Sequence, residues 1–211
     1  MNRKGSDRLK KAGKLAAAAL ALLLFCGLTA SVCALTNDGA GNAFESEGNN
    51  ATVQVEGDYV FTFISESLDA ENKVAGSIGG DLLALTDSLG VYADIGGNLR
   101  AAAMNAYFDC AVARNATVAA YTQEYGAHFR AEALYAFGNS VVFSGRAECL
   151  SVTGTEVRIR GSVDGAVTVN ADTVYIDEDA VFGSIRVRGA GEPVVLRAGT
   201  NERIPYKDSA L

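Results

Sequence analysis

Apolar residues in this chain recur two apart within short runs, and the runs themselves recur about every seventeen residues from Ile78 to roughly Val187. Rows can be started at Ile78, Ile95, Val112, Phe129, Arg146, Val163 and Val181. The fifth position then reads Leu82, Leu99, Ala116, Ala133, Leu150, Val167 and Ile185, and the seventh reads Ala84, Ala101, Val118, Tyr135, Val152, Val169 and Val187. Two further positions read Leu89, Ala106, Gln123, Ser140, Val157, Val174 and Val91, Phe108, Tyr125, Val142, Ile159, Ile176. A spacing of two is strand spacing, because successive side chains of a strand point to opposite faces. A fixed period of this length marks a solenoid, in which each repeat buries its apolar face only against its neighbours. The expected fold is therefore all-β: a single-domain parallel β-helix with about seventeen residues per rung. Arg146, Gln123 and Ser140 stand as breaks at expected core positions.

Corners need room. The third position is glycine in four rows, at Gly80, Gly97, Gly165 and Gly183, which suits a bend where a side chain is unwelcome or φ is positive. The fourth position (Asp81, Asn98, Asn115, Glu132) is mostly polar and is expected to face outward. The core columns are expected to be Ile78, Ile95, Val112, Phe129, Val163 and Val181, beside Leu82, Leu99, Leu150, Val167 and Ile185.

The flanks differ in character. Arg3, Lys4, Arg8, Lys10, Lys11 and Lys14 precede the apolar run 15–28, and Val32-Cys33-Ala34 offers a signal-peptidase site after Ala34. If uncut, the uncharged stretch is long enough for an apolar anchor helix through a bilayer. Residues 1–34 thus read as signal peptide or membrane anchor, and the remainder is expected across the membrane. Residues 35–57, rich in Gly, Asn, Ser and Glu, read as a flexible linker. The β-helix is expected over 58–190, with Tyr59 to Ile64 as a terminal capping rung and 191–211 as a carboxy-terminal cap or tail. Both prolines, Pro193 and Pro205, fall in that tail, where stacking stops.

Formal net charge is −7 for the whole chain. Residues 1–34 hold six of the 18 basic residues and one of the 25 acidic ones, so the remainder is near −12. Such a balance opposes nucleic-acid binding. Cys26 and Cys33 lie in the leader, and Cys110 and Cys149 fall about two rungs apart, roughly 10 Å, beyond the span of a disulfide. No intramolecular disulfide is expected.

Little in the chain reads as reaction chemistry. His128 is the one histidine, and β-helical acyltransferases use a histidine as general base, but their six-residue periodicity is missing here. Asp177-Glu178-Asp179 reads as a solvated turn, because the Gly-rich nonapeptide of calcium-binding β-rolls is absent. Tyr92, Tyr107 and Tyr121 have different row offsets and form no single stacked ladder. Asn50-Ala51-Thr52 and Asn115-Ala116-Thr117 match the N-glycosylation triplet. No catalytic residue, cofactor or metal site is expected.

The row openings "IGGDLLAL" (78–85), "IGGNLRAA" (95–102) and "VDGAVTVNADTVYI" (163–176), with "GSIRVRG" (183–189), resemble the bactofilins and related polymer-forming cytoskeletal proteins over roughly residues 74–190. That resemblance implies a right-handed β-helix that polymerises end to end without a nucleotide, attaches to membranes and acts as a scaffold in bacterial cell shape or envelope organisation. The export-type leader and the glycine-poor middle rows depart from the pattern, and the leader, which places the solenoid outside the cytoplasm, favours an envelope or surface scaffold. The partner expected is the chain itself, end to end, with the membrane contacted through an uncut leader and an envelope component as a further partner. A β-helix ends in open strand edges, so terminal rungs can stack head to tail unless the segments 56–64 and 192–211 block them. The alternatives are an exported adhesin that binds along a flat face, and a β-helical acyltransferase or polysaccharide lyase.

Overall fold

A computed structural model describes residues 43–45, 50–63, 72–189, 193–197 and 200–204. The leader and the Ala34 cleavage position lie outside the described residues. The described chain is a right-handed parallel β-solenoid of about seven turns. Its strands are β1 (Ala43–Glu45), β2 (Asn50–Val55), β3 (Tyr59–Phe63), β4 (Asn72–Ile78), β5 (Leu82–Thr86), β6 (Ser88–Ile95), β7 (Leu99–Phe108) and β8 (Asn115–Tyr125). They continue as β9 (Arg130–Phe137), β10 (Ser140–Phe143), β11 (Arg146–Ile159), β12 (Ser162–Asp177), β13 (Val181–Arg188), β14 (Val194–Leu196) and β15 (Arg203–Ile204). Every described pairing is parallel except the last, β14 with β15.

Stacking places like residues in columns. Tyr59, Leu82, Leu99, Ala116, Leu134, Leu150, Val167 and Ile185 follow one another rung by rung. From Tyr59 to Val167 all of these are buried. Burial of each large aliphatic or aromatic side chain contributes about 1.5–3 kcal/mol, and the column repeats that gain at each turn. Ile78, Ile95 and Val112 stack as expected and are buried.

The fixed period fails in the middle rungs. From Ile78 the column continues through Val112 to Ala131, Ala147, Val163 and Phe182, so its steps are 17, 17, 19, 16, 16 and 19 residues. A turn around Gly126–Phe129 takes up the extra residues. Phe129, expected in this column, instead fills a corner position below Gly145, where any side chain would collide with it. There its ring meets Tyr125 at 4.8 Å and Phe143 at 6.4 Å. Leu134 and Ala136 therefore replace Ala133 and Tyr135 in the core, and Val141 and Phe143 replace Ser140 and Val142. Two of the three breaks disappear with this slip: Arg146 and Ser140 were never core positions. Val181 is likewise a correction. It is 63% exposed, and its neighbour Phe182 pairs with Val163. Ile185 is only half-buried, because no described strand lies beyond it.

Two segments assigned to the linker are strands. Ala43–Glu45 pairs with β3 and Asn50–Val55 with β4, so β3 is an internal rung and not a cap. The alternation Ala51, Val53, Val55 is the local cause, outweighing a polar composition.

Corner glycines act through close approach. Gly80 and Gly97 keep negative φ, but a Cβ on either would overlap the carboxylate reaching up from Asp58 or Asp81 and the backbone of the rung below. That carboxylate belongs to a ladder. Asp81 N donates to Asp58 Oδ1 at 2.7 Å, Asn98 N to Asp81 Oδ1 at 2.7 Å and Asn115 N to Asn98 Oδ1 at 3.4 Å. The polar fourth position thus bridges rungs instead of simply facing solvent.

Candidate functional site

A solenoid has two ends, and here they differ. At the amino-terminal end, β1 pairs only with β3 and β2 only with β4, so among the described residues both outer edges are unpaired. At the carboxy-terminal end, β13 pairs only with β12, while β14, stacked on the later part of β12, is covered by the antiparallel β15. The end is half capped.

The cap follows from local sequence. Pro193, which has no N–H, stands just before β14, where Val195 is buried on the column of Ile176 and Leu196 is buried opposite Asp177. Arg197 N donates to Glu202 O, closing the turn to β15. Arg158 holds the turn from two rungs below: its Nη1 donates to Asn201 Oδ1 and its Nη2 to Thr200 O, each at 3.1 Å. The same guanidinium pairs with Asp177 at 2.8 and 3.1 Å, where Asp177 is nearly fully buried and Arg160 adds a third contact at 3.5 Å. Of the expected solvated turn only Glu178 and Asp179 are exposed; Asp177 is an interior clasp.

Beside the cap, the inner columns lose their cover. Val163, Val167 and Val169 are buried, whereas Phe182, Ile185 and Val187, one rung further, are half-buried. Arg186 and Arg188 are exposed on the outward face of β13. Of the expected corner glycines, Gly165 and Gly183 stack here, with Gly183 lying over the backbone of Gly165.

His128 lies on the inserted turn and is 83% exposed. Its Nδ1 sits 2.9 Å from Asp109 Oδ2, and its backbone N donates to Asp109 Oδ1. The His128 contacts outweigh desolvation and hold the Asp109 carboxyl below its ordinary pKa. The pair fastens the turn to the rung beneath, since Asp109 reaches past Gly126, where a side chain would collide with it. An open groove of about 590 Å³ between Ile78, Gly96, Ala113 and Arg130 includes Asp94 and Arg130 but not His128. Among the described residues no cluster of three or more His, Cys, Asp or Glu is placed to hold a metal ion.

Tyr92 and Tyr107 touch despite their different offsets, with ring centroids 5.7 Å apart and Lys73 Nζ 6.0 Å from the Tyr92 ring. Contact is diagonal across neighbouring rungs, which a same-row comparison cannot find. Tyr121 stands apart at the corner, 49% exposed. Cys110 and Cys149 are free thiols, the first buried and the second exposed. Burial, with Asp94 and Asp109 nearby, pushes the Cys110 thiol up to about 12.

Two buried polar groups occupy one inner column. Asn72 and Gln123 lie in line with Leu89, Ala106, Val141, Val157 and Val174. Gln123 Nε2 donates to Phe137 O at 2.7 Å and Ala120 O at 3.1 Å, and its Oε1 accepts from Tyr125 OH at 2.7 Å. Asn72 Nδ2 donates to Thr86 Oγ1, Asp87 Oδ1 and Ser88 O. Sequence signalled Gln123 as a break, while Asn72 fell outside the rows.

Fold and ends together define a parallel β-solenoid whose terminal strand edges are open among the described residues. Comparison with known proteins returned no match: no family model, no curated protein and no solved structure is similar to the chain.

Proposed function

We propose that this chain is a non-enzymatic structural scaffold, a bactofilin-like solenoid that self-associates end to end at the membrane or cell envelope. The observation that carries the reading is a continuous parallel ladder whose terminal strands β1, β2 and β13 are unpaired on their outer sides among the described residues. Unpaired edge N–H and C=O groups are a template for another strand. The basic flank and apolar run of residues 1–34 support export or anchoring in the cytoplasmic membrane. The scaffold reading requires no catalysis, and the one histidine is accounted for by the turn it fastens.

A second reading, an exported adhesin, draws on the exposed aromatic and apolar side chains of Tyr92, Met104, Tyr121 and Tyr135. Electron microscopy of the full chain at rising concentration separates the two. Filaments or end-to-end oligomers are expected for the scaffold; persistent single solenoids would leave the adhesin.

A further inference from the structure

We propose that the outer edge of β13, Val181–Arg188, is the surface by which the carboxy-terminal end of the solenoid binds a second copy of this chain. The assignment rests on the end-to-end reading and names the surface that reading uses.

The argument begins with burial. Inside the solenoid each core residue is covered by the same position one rung later. Val163, Val167 and Val169 are at most 1% exposed because β13 lies over them. Phe182, Ile185 and Val187 continue those columns but have no described strand beyond, and they are half-buried. Val181 at the head of the strand is 63% exposed, the most exposed large hydrophobic residue among the described residues. Among the described residues this eight-residue edge is unpaired on its outer side, and such an edge is a template for another strand unless it is blunted or covered.

The adjacent face shows what blunting looks like here. Over β14 the chain turns back as β15, and Arg158 secures the turn from within the stack. Nothing comparable among the described residues covers β13. The half-cap has a geometric consequence. Since β15 stands one strand, about 4.8 Å, beyond β14, a second solenoid cannot lie flush over the whole end. Contact is confined to the β13 side.

Two observations favour a second copy as the occupant. The surface repeats the backbone spacing and column positions of this chain's own rungs, and the amino-terminal end of another copy offers unpaired strands of the same kind in β1 and β2. Charge points the same way. Arg186 and Arg188 are exposed on β13, in a chain of net charge −7, so this edge attracts another copy's acidic body.

Sedimentation velocity on the full chain in mild detergent, across a concentration series, tests the assignment alongside hydrogen exchange of the same samples. Association is expected, with the amides of 181–188 protected only in the associated form. Val181→Lys, at an exposed site that leaves the core intact, is expected to weaken association by about tenfold, and Val187→Lys by more. Should Val187→Lys lose its β-sheet circular dichroism, Val181→Lys and the wild-type exchange data still decide. Association that persists unchanged in Val181→Lys, with β13 amides exchanging fast throughout, overturns this surface and leaves end-to-end assembly standing. A wild-type chain that stays monomeric at every concentration overturns both.

Discussion

Tyr125→Phe isolates one hydrogen bond inside the solenoid. Tyr125 and Gln123 are both fully buried, and the phenol OH donates to Gln123 Oε1 at 2.7 Å. Burial, with a smaller effect from Cys110, holds the phenol pKa well above its usual value, so it stays a donor at neutral pH. Removing the hydroxyl leaves the ring stacked on Phe108 at 5.2 Å and edge-on to Phe129 at 4.8 Å, so no large cavity term enters. What is lost is the bond itself, together with the solvation of an oxygen that water does not reach. Leaving such a group unpaired costs about 1–3 kcal/mol. Gln123→Leu strands the hydroxyl as well as the carbonyls of Ala120 and Phe137, and is expected to cost more. The double variant removes both partners of the 2.7 Å bond, so its loss should fall short of the sum by about 1–2 kcal/mol. Urea unfolding provides the assay, read as a shift of midpoint at unchanged slope. If Tyr125→Phe lies within about 0.5 kcal/mol of the parent and the cycle is additive, the buried pair does not exist as described.

Three further outcomes are expected. Gly97→Ala places a Cβ against Asp81 Oδ1 and the Gly80 backbone, and should destabilise by at least about 2 kcal/mol in the same assay, against the usual loss of under 0.5 kcal/mol at an uncrowded surface position. Desolvation raises the Asp81 carboxyl, but the Asn98 backbone bond and the Arg100 and Asn98 side chains outweigh it and leave the net pKa below its ordinary value. A lowered folded pKa adds stability above about pH 4 that is lost as pH falls through the folded value, so thermal unfolding of Asp81→Asn should depend less on pH below about 4 than that of the parent. In native alkylation followed by peptide mass spectrometry, Cys149 should label readily. Cys110, buried and with its thiol at about 12, should label only after unfolding.

How much of this was legible in the sequence depends on the kind of signal. Columns headed by Leu82 and Leu99 could be read directly, because a side chain that must point inward every turn leaves an apolar residue at a fixed interval. The middle rungs could not. A corner absorbs two extra residues at Gly126–Phe129 without disturbing the strands on either side, and a rigid period then assigns Tyr135 and Ser140 to places held by Ala136 and Val141. Val181 was misplaced for a separate reason: the step from Val163 to the next rung is 19 residues long, and Phe182, which takes the core position, stands beside an equally apolar Val181. The carboxylate–amide ladder from Asp58 to Asn115 was invisible for another reason: polarity at a corner looks the same whether a side chain meets water or the rung above. The half-cap at Arg158 joins residues about forty apart, and no local pattern marks such a bond.

The central claim is that successive coils lie on one another in columns. A crystal structure tests it most directly. Leu82, Leu99, Ala116, Leu134, Leu150 and Val167 are expected in one line at strand spacing, about 4.8 Å per step. Finding these residues distributed between the two sheets of a sandwich would contradict the stacked coils and the end surfaces argued from them.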